Sequence, residues 1–326
     1  MPKPLAIAID LGASKLRVCL GNRRGRILKR VTREMTTEGP IEDYLSTITE
    51  TTKEILRQAP SKEIAAIGVA SFGPFDHKKK GIIRNPPNVP FKYIPIVESL
   101  RDAIGLDVVL INDAKAAAIG EKVFGLGRKV ENLVYVTIST GIGGGVFVDG
   151  HLLIGKDGNA TEVGHMTIDP ASSLTCGCGR RGHWEAYCSG RNIPNFAKLL
   201  YDGLSESERI HHKNSGVAWR PKTTTPGIFQ AAIRGDEFAQ FVVQEVGKLN
   251  SLGVANLVSL YDPSLVTIGG GVALKNPYLI LNPIMKSLPE YTINKIPKIA
   301  LTPLGEDICL LGAMSVAFDP GILHEK

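Results

Sequence analysis

One pattern occurs twice in this chain and constrains it more than any other feature. Leu5-Ala6-Ile7-Ala8-Ile9-Asp10 is an apolar run ending on a carboxylate, followed by a turn at Gly12 and a second apolar run from Leu16 to Leu20. At Leu133 the pattern returns: Val134 to Ile138 reads as a strand, Ser139 to Gly145 as a glycine-rich turn, and Val146 to Val148 as a second strand. A third related turn, Ile268 to Ala273, follows a long helical stretch from Asp236 to Leu260 and a strand from Leu265 to Ile268. A duplicated strand–turn–strand unit predicts two like lobes, and a cleft between such lobes is a common place for ligands.

Between the two copies the periodicity predicts a helix over Ile41–Gln58, a strand over Ile64–Ala70, a Gly-Pro loop from Gly73 to Pro90 and a buried strand over Val108–Ile111. Such alternation predicts α/β layering. With 326 residues, 43% of them hydrophobic, two domains are expected. The first is drawn over residues 1–114, joined by the last helix (near Leu310–Phe318, within about 305–326); the second spans 115–304, with a hinge near residues 113 to 118. Asn214–Pro226 has no clear period and reads as a surface loop.

Net charge is +6, but the basic residues are scattered except at Arg23-Arg24, Lys78-Lys79-Lys80 and Arg180-Arg181. The first two clusters read as solvated turns, and the few aromatics offer no stacking platform, so no nucleic-acid partner is expected. No run of 18 apolar residues occurs, and Met1-Pro2-Lys3-Pro4 leads directly into a strand, so neither membrane nor export is expected and a cytoplasmic location is. An odd number of cysteines argues against a disulfide framework.

Ser139-Thr140-Gly141-Ile142-Gly143-Gly144-Gly145 lets the main chain come close to a phosphate, which makes Thr140, Gly141 and Gly143 candidate nucleotide contacts together with Gly270 and Gly271 of the third turn. The first turn contributes Asp10 for hydrated Mg²⁺ and Gly12, Ser14 and Lys15 for phosphate oxygens. Each turn by itself reads equally well as a plain tight hairpin; three in related contexts favour phosphate binding.

His165, Cys176, Cys178 and His183 have the spacing and chemistry of four zinc ligands, which would close the coordination sphere of a structural ion. Cys188 is the rival fourth ligand, and the absence of any metal is the plain alternative. Cys19 and Cys309 read as core thiols.

The motifs resemble the ROK group of repressors and sugar kinases from Asp10 to Leu311-Gly312-Ala313. They are Asp10-Leu11-Gly12-Ala13-Ser14-Lys15; Gly73-Pro74 with Pro87-Asn88; Asn112-Asp113; Glu162-Val163-Gly164-His165; and Cys176-Gly177-Cys178-Gly179-Arg180-Arg181-Gly182-His183-Trp184-Glu185, where His183 stands in the place of the family's third cysteine. The resemblance implies a two-lobed actin-like, duplicated ribonuclease H-like fold with an interlobe cleft. It also implies ATP and Mg²⁺, a structural Zn²⁺, and Asp113 as the general base for a hexose hydroxyl. Gly73, Asn88, Asn112, Asp113, Glu162, His165 and Glu185 are implied as sugar contacts. Glucose, or a range of aldohexoses, phosphorylated on the 6-hydroxyl is the expected chemistry, with an N-acetylhexosamine kinase as the alternative and a homodimer as the expected assembly. A sugar-sensing regulator is disfavoured, because the nine residues before Asp10 are expected to leave no room for a helix-turn-helix. Outside the family context, Asn112 ends a strand, Asp113 caps the helix beginning at Ala114, Glu162 and Glu185 are surface carboxylates, and Trp184 is a core residue.

Overall fold

The computed structural model describes residues 3–76, 81–87, 89–171, 173–217 and 223–323; Lys78, Lys79, Lys80 and Asn88 lie outside them. The strands are β1 (Leu5–Leu11), β2 (Lys15–Asn22), β3 (Ile27–Glu34), β4 (Ile64–Ser71), β5 (Ile83–Arg84), β6 (Tyr93–Ile94), β7 (Val108–Asn112), β8 (Leu133–Ile138), β9 (Ile142–Val148), β10 (His151–Leu152), β11 (Leu265–Gly269) and β12 (Lys298–Leu301). They form one five-stranded sheet in the order β3-β2-β1-β4-β7, another in the order β10-β9-β8-β11-β12, and the small pair β5-β6. The chain divides into two compact units: residues 1–133, 145–161 and 303–326, and residues 134–144 and 162–302. Residues 113–118, where a hinge is expected, lie in the unbroken helix Asp113–Phe124, and the chain first leaves the first unit after Leu133.

In the first unit β1 runs antiparallel to β2 and parallel to β4, which is parallel to β7, so that Leu11, Ser71 and Asn112 stand side by side at one sheet edge. Alternation assigns the two faces. Ile7, Ile9 and Leu11 join Tyr44, Ile48, Ile55 and Leu100 in one buried cluster, so the helices Ile41–Leu56 and Ile96–Ile104 cover that face. The intervening positions are small: Ala6, Ala8 and Gly68. A side chain at Gly68 would overlap the Ala313 carbonyl, so the helix Ile308–Phe318 lies directly on the small-residue face. That helix is apolar all round and buried from Leu310 to Ala317, as a helix enclosed by its own unit must be.

The same helix crosses Asp113–Phe124 at Gly312, where a Cβ would overlap the Ala116 carbonyl. Main chain cannot swing aside as a rotamer can. Gly312→Val is therefore expected to cost about 3 kcal/mol or more, the upper range for overpacking. Urea unfolding checks this; a midpoint equal to that of the native chain would mean that the two helices do not meet there.

In the second unit the helix Glu237–Tyr261 packs on the helices Thr225–Ile233 and Pro277–Ser287. Trp184 is fully buried, with its ring against Gly253 and Nε1 donating to Asn250 Oδ1 at 2.9 Å, which makes it a core residue. Two local expectations are corrected. The turn expected over Ser139–Gly145 is shorter, because β9 begins at Ile142. Gly144 and Gly145 are strand residues whose missing side chains make room for neighbours: a Cβ would come within 2.8 Å of Val163 at the first and 2.5 Å of Ala118 at the second. The loop expected over 214–226 ends early, because Thr224 accepts from Gly227 N at 3.3 Å and Pro226 occupies a first turn that needs no N–H from it, so a helix starts at Thr225. No described helix is long and apolar enough to cross a membrane.

Candidate active site

The carboxyl ends of parallel strands are where open α/β sheets bind ligands, and in the first unit β1, β4 and β7 all end at one edge. Asp10 lies at the end of β1, Gly73 just beyond β4, and Asn112 and Asp113 at the junction of β7 with its helix. The structure brings these four residues to one edge of the sheet. Gly12 to Ser14 make the tight turn after β1, closed by Gly12 N donating to the Lys15 carbonyl at 2.9 Å. The cap expected of Asp113 belongs to Asn112, whose Oδ1 accepts from Ala114 N at 3.1 Å and Lys115 N at 3.2 Å. Asp113 is already the first helical residue; its Oδ1 accepts from Ala114 N at 2.8 Å, which fixes the half-buried carboxylate in the first turn, where the helix dipole favours negative charge.

Sequence reasoning missed Arg17. The β1–β2 register sets it opposite Asp10, and both Nε (2.9 Å) and a terminal nitrogen donate to Asp10 Oδ2. Asp307 lies 3.9 Å from Arg17 and pairs with Arg30 at 2.5 Å. Burial pushes the Asp10 carboxyl above its ordinary value, and Arg17 opposes that rise. The signal was the tight Gly12 turn, which brings Arg17 onto the face of Asp10; it becomes readable only when the pairing register is known.

In the second unit the turn between β8 and β9 is held from three sides. Ser139 N donates to the Gly141 carbonyl at 2.9 Å, Gly190 N to the Ser139 carbonyl at 2.7 Å, and Ile142 N to Glu185 Oε2 at 2.9 Å. A Cβ at Gly141 would lie 2.5 Å from that carboxylate oxygen. Gly270, at φ 88°, follows β11 and packs so closely on the end of β8 that a Cβ would be 2.5 Å from the Ile138 carbonyl. Thr140, Gly141, Gly270 and Gly271 therefore gather at one end of the second sheet. Gly143 follows that turn as the second residue of β9.

The metal-spaced residues converge. Ligand atoms of His165, Cys176, Cys178 and His183 all lie within 4.8 Å of one another. Nδ1 of His165 is 3.3 Å from Nδ1 of His183 and 3.5 Å from Cys176 Sγ, and Cys178 Sγ is 3.4 Å from His183 Nδ1. A tetrahedral zinc ion with bonds of about 2.0 to 2.3 Å needs ligand edges of about 3.3 to 3.8 Å, so donor set and spacing both fit. Gly179 and Gly182, at φ 82° and 71°, supply the left-handed turns that fold the segment back on itself. Cys188 takes no part: it is fully buried and points at the Val246 carbonyl. Burial pushes the Cys176 thiol up to about 12 and lowers His183 from its ordinary value, with His165 adding to the latter. Because His165 offers Nδ1 to the cluster, its Nε2 is left toward Glu162, 3.9 Å away. Glu185 spans two features, with Oε1 3.3 Å from Cys176 Sγ and Oε2 on the Ile142 amide.

The profile of the ROK family matches residues 6–319. Over 320 residues the chain is 35% identical to a glucokinase of Thermotoga maritima, covering 97% of this chain and 98% of that one. Among solved structures, a ROK hexokinase from Thermus thermophilus superposes with a TM-score of 0.80 at 32% identity, covering 95% of this chain and 96% of that one. A ROK family glucokinase from Streptomyces griseus, in complex with glucose and AMPPNP, gives 0.78 at 30%, covering 96% and 98%. The fold these neighbours share is the two-lobed actin-like kinase fold.

Proposed function

The chain belongs to the ROK family, and from that premise we propose that it is an ATP-dependent hexose kinase acting on the 6-hydroxyl of glucose or similar aldohexoses, with Asp113 as the general base. The observation that carries this reading is the station of Asp113: the first residue of a helix at the carboxyl end of β7, capped by Asn112, in a chain matched along nearly its whole length by glucokinases. The Asp113 carboxylate accepts the proton of the sugar hydroxyl as its oxygen bonds to the γ-phosphorus, and the bond to the β–γ bridging oxygen breaks to release ADP. Asp10, Gly12, Ser14 and Lys15 of the first unit, and Thr140, Gly141, Gly143, Gly270 and Gly271 of the second, would contact the phosphates, and Asp10 would hold the accompanying Mg²⁺; Arg17 keeps the Asp10 carboxylate oriented. Gly73 and Asn112 of the first unit, and Glu162, His165 and Glu185 of the second, are each suited to contact a sugar, whose hydroxyls both donate and accept. His165, Cys176, Cys178 and His183 would hold a Zn²⁺ ion, which would fix the loop and so orient His165.

ADP release measured across a panel of hexoses and N-acetylhexosamines with ATP and Mg²⁺ tests this reading, with the product identified by NMR. Glucose-dependent release with phosphate on C6 is expected. Release with no sugar-dependent component, or phosphate on another carbon, would overturn the respective part.

The two roles of Glu185 lead to a separate expectation. Gly141→Ala pushes a methyl group against Oε2 and breaks the bond to the Ile142 amide. It is expected to raise KM for ATP and for sugar together by about tenfold, equivalent to ~1.4 kcal/mol. A change confined to ATP would show that Glu185 does not link the two.

A further inference from the structure

We propose that His211, His212 and Glu237 form a second divalent-cation site, chemically unlike the Cys/His cluster and independent of the kinase reading. His211 ends the short helix Glu206–His211, His212 begins the following turn, and Glu237 opens the helix Glu237–Tyr261. One ligand atom from each lies within 4.8 Å of the others. His211 Nε2 already meets Glu237 Oε2 at 2.7 Å.

Two neighbouring histidines on a surface are common, and what distinguishes these is how firmly they are placed. Asp236, the residue before Glu237, accepts from Ser215 Oγ and from Gly216 N at 2.8 Å, which ties the segment after His212 to the start of the long helix. The same carboxylate caps that helix through Ala239 N at 2.9 Å. The His212 ring packs 5.5 Å from the ring of the fully buried Phe238, and the His211 ring meets it edge-on at 4.9 Å. Both segments that carry ligands are therefore fixed before an ion arrives, which lowers the ordering cost of binding. The local field also suits a cation, since the Glu208 and Asp236 carboxylates both interact electrostatically with His212. Of the cations adjoining in sequence, Lys213 directly follows His212 and is exposed, and Arg209 is turned away onto the Asp202 carbonyl and the Tyr201 ring.

Two imidazoles and one carboxylate suit zinc and the neighbouring transition ions. Three protein ligands leave at least one position open to water, in contrast to the closed set around Cys176. The ion takes the place of the direct His211–Glu237 contact.

Cobalt titration of the chelator-treated full-length protein separates the two sites, because only one has thiolates. Two equivalents are expected: one with the thiolate-to-cobalt charge-transfer band, one without it. Glu237→Gln and the double variant with His211→Asn, both at exposed positions, are expected to weaken the band-free equivalent at least about tenfold. The band and sugar-dependent ADP release should be unchanged. The absence of a band-free equivalent in the native protein, or a band-free equivalent that binds the double variant as tightly, would overturn the proposal whether or not the chain proves to be a kinase.

Discussion

Asp113→Asn is expected to lower kcat for sugar phosphorylation by about 10²- to 10⁴-fold while leaving both KM values within a few-fold of native. The substitution keeps an oxygen where Oδ1 now accepts from the Ala114 amide at 2.8 Å, and the cap itself is Asn112, so the helix start survives. What disappears is the capacity to take a proton. That capacity is used only as the hydroxyl attacks, and an interaction made only in the transition state lowers kcat and kcat/KM equally when removed. A coupled ADP assay at saturating sugar and ATP, run beside a melting curve, separates this from unfolding. A stable variant retaining a tenth or more of native turnover would remove Asp113 from the role of base. A rise in KM for sugar without a fall in kcat would recast it as a binding residue.

The strand–helix junction at Asp113 was legible in the sequence, whereas its assignment as base rests on the family resemblance. A short apolar strand, an Asn-Asp pair and an alanine-rich helix are local features, and the structure has them at β7 and Asp113–Phe124. The first hairpin and the Cys/His spacing were legible for the same reason: residues within 20 positions of one another fix them. Distant contacts were not. The bond from the Ile142 amide to Glu185 joins residues 43 apart, and Arg17 meets Asp10 only through strand register. Glycine misled where it served packing. Gly144 and Gly145 resemble turn residues in sequence but lie in a strand whose neighbours leave no room for a methyl group. Thr161 carried no signal at all. A β-branched residue at φ 64°, directly before Glu162, is an outlier that only the backbone reveals.

The Cys/His cluster yields the other large effect, and Cys178 is the position that isolates it. Cys176 is buried and touches Glu185, so changing it disturbs packing as well as the cluster; Cys178 is exposed and lies 3.4 Å from His183 Nδ1. Cys178→Ser is therefore expected to abolish the equivalent of zinc proposed for the cluster. The His165 and His183 nitrogens would then face each other at 3.3 Å with no cation between them, and one ring must turn or take up a proton. If His165 turns, its Nε2 leaves the Glu162 carboxylate and the sugar contact proposed for it is lost. KM for sugar should rise about 10- to 100-fold, the usual cost of losing an orienting partner, while kcat and KM for ATP change much less. Metal analysis beside steady-state kinetics decides the matter. Zinc lost with sugar affinity intact would reduce the cluster to a local staple, and zinc retained would show that Cys178 is not a ligand.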